Sequence, residues 1–238
     1  MPNLSYMQKA TDRGQLQIHV TTERGFFPIK DASIRLSYTG NPTEIIEELS
    51  TDISGQTAAV ELPAPPLEYS MEPSEFQPYS EYTIQVNASG YRPINISGIS
   101  VLPDKTSIQN VRMETATVEN PLERNIVITA NTLYGNFPPK IPEDEIKPMT
   151  ESGEIVLSRV VIPEYVIVHD GPPSDSSAND YYVRYRDYIK NVASSEIYAT
   201  WPDAALRANI LAIMSFTLNR VYTEWYRNKG YDFTITSS

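Results

Sequence analysis

An α+β, multidomain chain is predicted, with an N-terminal all-β antiparallel sandwich followed by a mainly helical domain. Three observations carry this prediction. Apolar and polar residues alternate in about seven short runs between Leu16 and Met113, the period of strands with one face buried. Prolines and carboxylates then break up residues 115 to 160. Beyond Asp187 the apolar spacing lengthens from two residues to three or four, the period of an amphipathic helix. At 238 residues the chain is long enough for two modest domains.

Residues 1–13 read as a polar tail. The first strand places Leu16, Ile18 and Val20 on one face, and the turn Glu23-Arg24-Gly25 leads to a second run at Ala32, Ile34, Leu36 and Tyr38. A third strand, near Ile45 to Leu49, is followed by a fourth at Thr57 to Leu62. The turn between them, Thr51-Asp52-Ile53-Ser54-Gly55, has the side-chain acceptor and the glycine that a tight reversal favours. Pro63 to Ser80 holds too many prolines for a central strand and reads as an exposed loop. Tyr82, Ile84, Val86 and Ala88 resume the alternation, Ile94 and Ile96 continue it, and Ile108, Val111 and Met113 close a sandwich spanning 14–114.

Residues 115–160 read as a Pro-rich acidic linker. Pro121, Pro138, Pro139, Pro142 and Pro148 separate short apolar runs such as Ile126-Val127-Ile128, and Glu143, Asp144, Glu145, Glu151 and Glu154 keep the stretch solvated. Val160 to Val168 is β-branched and reads as a buried strand opening a second domain at 161–238, followed by a loop from Asp170 to Asp180. A short helix is expected to be capped by Asp187, with Glu196 at or just past its end. A longer one is expected from the Thr200 cap and Pro202, through Leu206, Ile210, Ile213, Thr217, Val221 and Trp225, to a left-handed stop at Gly230. That length corresponds to about 40 Å.

Composition narrows the chemistry. A net charge of −11 disfavours binding to a phosphate backbone, so no nucleic-acid partner is expected. The chain has no cysteine, and its two histidines, His19 and His169, lie far apart in apolar runs, so neither a metal site nor a cofactor is expected. No apolar run reaches the length of a membrane span, and no secretory signal is legible.

Thr51 to Gly55, the run from Tyr82 to Tyr91 and the closing strand to Met113 resemble the transthyretin-like, carboxypeptidase-regulatory type of sandwich. That resemblance implies a pro- or accessory domain and carries no catalytic residue. Tyr188, Ile189 and Val192, the pair Ser195-Glu196, then Trp201-Pro202 and Ala205-Leu206 with Ala208, resemble the stage II sporulation protein D family of peptidoglycan lytic enzymes. The continuation to Thr236, including Asn219-Arg220 and Glu224-Trp225, with Ile162-Pro163-Glu164-Tyr165 and Val168-His169-Asp170-Gly171, is similar to spore cortex-lytic enzymes of the SleC type. Those enzymes carry a pro-region ahead of the lytic domain.

The resemblance implies a partial catalytic domain at 161–238, since the family domain continues past the position of Ser238. It implies cleavage of the β-1,4 bond between MurNAc and GlcNAc during spore germination, with Glu196 catalytic. Glu196 would act as general acid to the glycosidic oxygen and then as base toward the muramyl 6-hydroxyl. Such an acid is expected in apolar surroundings that favour its protonated form, supplied by Ile197, Tyr198 and Trp201; Tyr198 and Trp201 are also the expected substrate-binding residues. Hydrolysis in place of anhydro-sugar formation stays open. The implied partners are cortex peptidoglycan and an activating protease at residues 143–161, and the implied location is the spore cortex or coat, or the extracellular wall. The alternative is a noncatalytic wall- or coat-binding module in which the sandwich is the working part.

Overall fold

In the computed structural model the described residues are 12–71, 76–117, 122–130 and 161–237. The acidic junction at 143–160 and most of the N-terminal tail and the Pro-rich linker lie outside them. The chain divides into two units, residues 1–135 and 136–238.

In the first unit the alternating runs form strands β1 (Asp12–Thr22), β2 (Ser33–Tyr38), β3 (Asn41–Ser50), β4 (Val60–Ala64), β5 (Ser80–Asn87), β6 (Ile94–Val101), β7 (Thr106–Met113) and β8 (Arg124–Val127). A short helix, α1 (Glu68–Met71), follows β4 in the stretch expected to be loop. One sheet has the order β4-β1-β7 and the other β3-β2-β5-β6-β8. Their inner faces share one core: Leu16, Ile18, Val20 and Val111 from the smaller sheet meet Ile34, Leu36, Ile84, Val86 and Ile96 from the larger. The unit is therefore a β-sandwich.

The sandwich is not wholly antiparallel. β7 runs parallel to β1, with Leu16 opposite Ser107 and Val20 opposite Val111. β1 and β4 are antiparallel, and β7 lies on the other side of β1, so the central strand has one neighbour of each direction. β8, read from sequence as an apolar run in a linker, adds parallel to β6 from Ile94↔Arg124 to Ser97↔Val127. Alternation reveals which face is buried and says nothing about the neighbouring strand.

The turn after β3 pins the two sheets together. Asp52 Oδ1 accepts hydrogen bonds from the Ser54 and Gln56 amides at 2.8 and 3.0 Å and from Ser54 Oγ at 2.7 Å. The Ser54 hydroxyl bond, with these amides, holds the Asp52 carboxyl below its usual range. Thr51 Oγ1 donates to the Ile29 carbonyl at 2.7 Å and accepts from the Ala32 amide at 2.9 Å. Gly55, at φ +74, passes so close to β1 that its carbonyl accepts from the Val20 amide at 2.7 Å.

The second unit is a helix-backed sheet rather than a mainly helical domain, which corrects the expected fold class. β9 (Tyr165–His169) is central, flanked by β10 (Asp180–Arg184) antiparallel and β11 (Ile235–Thr236) parallel. Val166 and Val168 pack against α2 (Tyr185–Ser194) and α3 (Asp203–Tyr222) through Tyr185, Ile189, Ile210 and Ile213. Ile167 instead packs with Trp225, Tyr226 and Phe233. The sheet thus has two apolar coverings, one from the helices and one from the aromatic segment that follows them.

Both helices differ from expectation at their ends. α2 starts at Tyr185, with Asp187 inside the first turn, and Pro202 occupies the cap position of α3. α3 stops at Tyr222 rather than running to Gly230, because Glu224 adopts a left-handed backbone at φ +49. Its 20 residues span about 30 Å. The break turns Trp225 away from the helical stripe and sends the chain to the other face of the sheet. Gly230, at φ +86, caps a separate 3-10 turn at Arg227–Lys229.

Candidate functional site

Three polar features stand out in the second unit. The first is the elbow between α2 and α3. Ser195 ends α2, its amide bonding to the Asn191 and Val192 carbonyls, and the Glu196 and Ile197 amides both reach the Ala193 carbonyl. This tightening turn projects Glu196 into solvent. The side chain is fixed by the facing helix, since Asn209 Nδ2 donates to Glu196 Oε2 at 2.8 Å. Glu196 is therefore exposed rather than enclosed by apolar side chains, which corrects that expectation. Tyr198 is buried and Trp201 is half-buried, with the Trp201 amide donating to the Tyr198 carbonyl at 3.1 Å.

The second is a pocket of about 200 Å³ lying where β9 and β11 begin and α3 ends. Tyr165, Trp225 and Phe233 contribute aromatic walls, and Arg220, Glu224 and Arg227 contribute charge. Arg220 is only 2% exposed. Its guanidinium lies 4.0 Å from the Trp225 ring centre and 4.7 Å from that of Phe216, an arrangement in which the ring faces attract the cation. Lys229 Nζ lies 4.2 Å from the Trp225 centre as well. Arg227 Nε pairs with Glu224 at 3.5 Å.

The third is His169, dismissed on sequence as an apolar-strand residue. Its Nδ1 meets Asp180 Oδ1 at 2.7 Å across the β9–β10 pair, and its ring stacks on Phe233 at 4.4 Å. The bond to Asp180 holds the imidazole above its ordinary titration range. This dyad ties all three strands together, because β11 lies opposite His169 through Thr236 and the Ser237 amide donates to the His169 carbonyl at 2.8 Å.

Glu196 and its partner Asn209 were brought together by the fold, as were Arg220 and Trp225. Asn209 and Arg220 had only a weak signal, two of several polar side chains, with Asp203, Arg207 and Asn219, along a largely apolar helix. Asn209 and Arg220 are three helical turns apart, so they share one face at a separation of about 16 Å. Among the described residues no group of three or more His, Cys, Asp or Glu is placed to hold a metal ion, and no helix is long and apolar enough to cross a membrane.

No protein-family model matches the sequence, and no curated protein matches it. Among solved structures the chain is similar to the Bacillus anthracis TIE protein, at 16% identity and a TM-score of 0.31 over 44% of this chain and 17% of that one. It is similar to GBS52, the minor pilin of Streptococcus agalactiae, at 13% identity and a TM-score of 0.31, covering 56% and 48% of the two chains. A third likeness is to Klebsiella pneumoniae 5-hydroxyisourate hydrolase, at 16% identity and a TM-score of 0.27, covering 43% and 92%. The chain thus spans less than half the length of the first two of these proteins. The sandwich is established by its own strand order and shared core, and no family follows from likenesses this distant.

Proposed function

We propose that the second unit belongs to a peptidoglycan lytic enzyme of the spore cortex, with Glu196 as its single acid and base. The observation that carries this reading is the elbow itself. A carboxylate sits between two helices, open to a polymeric substrate, with one oxygen held by Asn209 at 2.8 Å and fixed in orientation. The resemblance of Tyr188 to Ala208 to the stage II sporulation protein D family supports the assignment to glycan cleavage. Trp201, half-buried beside the elbow, is a candidate sugar-stacking surface. Tyr198 is buried and supports the turn.

In the proposed reaction protonated Glu196 gives its proton to the oxygen between MurNAc and GlcNAc, and the C–O bond breaks. The carboxylate then takes the proton of the muramyl 6-hydroxyl as that oxygen closes on the anomeric carbon. Glu196 is regenerated, no water is consumed, and a 1,6-anhydro sugar leaves. This differs from paired-carboxylate hydrolysis, which needs a second acid or base. The sandwich serves as a pro- or accessory domain, with proteolytic activation in the acidic junction at 143–161.

The test is digestion of spore cortex by the protein, carried on the full-length gene product, with muropeptides read by mass spectrometry. Anhydro-muropeptides are expected from the wild type and a loss of at least 100-fold from Glu196→Gln with the circular dichroism unchanged. Undiminished product from Glu196→Gln overturns the assignment. A folded wild type that binds cortex but releases no product points instead to a noncatalytic wall-binding module.

A further inference from the structure

We propose that β7 is a docking edge for a second copy of this chain, the two β7 strands pairing antiparallel about Ile108. The backbone groups of the strand lead to it. The Gln15 amide donates to the Lys105 carbonyl at 2.8 Å and the Glu23 amide to the Met113 carbonyl at 3.0 Å, and the parallel register between them has no shift. In such a ladder alternate residues of a strand face the neighbour. Lys105, Ser107, Gln109, Val111 and Met113 therefore bond to β1, while the N–H and C=O of Thr106, Ile108, Asn110 and Arg112 point to the opposite side. That side is open, because β7 is the outer strand of its sheet. Among the described residues one of these groups has a partner: the Gln109 side-chain amide donates to the Asn110 carbonyl at 2.9 Å, which leaves that oxygen a second lone pair.

The other outer strands of the sandwich are protected against such pairing. β3 carries Pro42, Glu44, Glu47 and Glu48 and is irregular in register; β4 has five residues and Pro63; β8 has four residues. Proline, like charges, irregularity and shortness all discourage edge-to-edge contact. β7 has none of these devices. It runs eight residues without proline or bulge, has Arg112 as its one charge, and leaves Ile108 55% exposed on the outer face.

The edge is complementary to itself, which selects a second copy as the occupant. Two copies with a net charge of −11 repel at long range, so contact is favoured where carboxylates are sparse, as they are along β7. With a two-fold axis at Ile108, the two Ile108 side chains meet, Thr106 lies opposite Asn110 of the second copy, and Arg112 lies opposite Asp104. An apolar pair thus occupies the centre, with an amide and a hydroxyl beside it and opposite charges at both ends. Arg112 and Asp104 are exposed, and neither makes an ion pair among the described residues. Arg112 also lies 4.6 Å from the Phe26 ring centre, which holds it at the end of the strand. Three opposed residue pairs exchange two bonds each, about six in all. A single pair of strands falls in the small class of interfaces, below about 1,200 Å², so the association is a weak one read at high concentration.

Sedimentation velocity on the 238-residue protein from about 10 µM to 1 mM measures the association, and amide exchange by NMR locates it. A monomer–dimer equilibrium is expected. The Thr106, Ile108 and Asn110 amides should gain at least about 10-fold in protection as concentration rises, while Ser107 and Gln109, already bonded to β1, stay constant. Asn110→Pro breaks no bond to β1, because that amide faces the open edge, and should weaken the dimer by at least about 10-fold. Ile108→Lys sets two like charges against each other at the axis, on a side chain the fold leaves exposed, and should weaken it as much. It decides the matter if Asn110→Pro does not fold. Asp104→Asn suits the left-handed backbone at φ +55, removes the carboxylate from both end pairs and should weaken the dimer by about 3-fold. A monomer throughout the range, a dimer that Ile108→Lys leaves intact, or an Ile108 amide no better protected in the dimer would each overturn the pairing. An Asp104→Asn dimer as tight as the wild type would overturn the register.

Discussion

A set of three glycine substitutions in the sandwich separates backbone strain from steric conflict. Gly40 has open space around a built Cβ and no left-handed backbone; Gly90 has open space but φ +83; Gly55 combines φ +74 with a Cβ that would sit 2.4 Å from the Val20 carbonyl oxygen. The backbone term for an alanine in the left-handed region is about 1–2 kcal/mol. Val20 lies on β1, within the core, and its carbonyl is already engaged by the Ile29 amide at 3.0 Å, so it has little room to retreat. Forcing it aside is an overpacking problem of about 1–3 kcal/mol. Gly55→Ala should therefore lose about 2–5 kcal/mol and Gly90→Ala about 1–2 kcal/mol, while Gly40→Ala is neutral or gains up to about 1 kcal/mol. Both tryptophans lie at 201 and 225, in the second unit, so their emission does not report this change. Urea titration with hydrogen exchange read on peptides from β1 and β5 does. With a slope of about 1–3 kcal/mol per molar urea, the Gly55→Ala midpoint should fall by at least about 0.7 M. If Gly55→Ala is no worse than Gly90→Ala, the close approach to β1 is refuted.

Two further perturbations test the core of each unit. Ile84 is fully buried on β5, between Leu36 and Ile96 of the neighbouring strands, so Ile84→Ala should cost about 2–5 kcal/mol, whereas Ile53→Ala, at 81% exposed, should stay within about 0.5 kcal/mol. Equal losses in the same urea assay would place the core elsewhere. In the second unit the Asp180 bond raises the His169 titration above its ordinary 6.5. Protonation is therefore favoured by folding, and the resulting stability is fully present below about pH 6.5 and is lost as pH rises through the raised value. Melting followed by tryptophan emission should fall across that window in the wild type and lose the step in Asp180→Asn. A step that survives Asp180→Asn, or an NMR titration of His169 at or below 6.5, would refute the coupling.

Much of the first unit was written in its local pattern. Inward positions such as Leu16, Ile34 and Ile84 have the period-two spacing of a half-buried strand, and the Asp52 turn carries its own acceptor and glycine. These features are legible because they depend on neighbours within a few residues. The parallel placement of β7 and β8 was not, since a strand's alternation is the same whichever partner lies beside it. In the second unit the apolar helices hid the sheet. Tyr181-Tyr182-Val183 runs directly into α2 without a break in composition, and β11 is only two residues long.

By itself the sequence determined the strands of the sandwich, the reversal at Asp52 and the position of Glu196 at the end of a helix, each the product of short-range sterics and hydrogen bonding. Tertiary structure alone decided that α3 ends at Tyr222, that Asn209 holds Glu196, and that Arg220 lies against Trp225 beneath a pocket. Those outcomes depend on two apolar groups covering opposite faces of one small sheet. To reach the second face the chain has to leave its helix at Glu224, a left-handed residue that helical periodicity could not reveal.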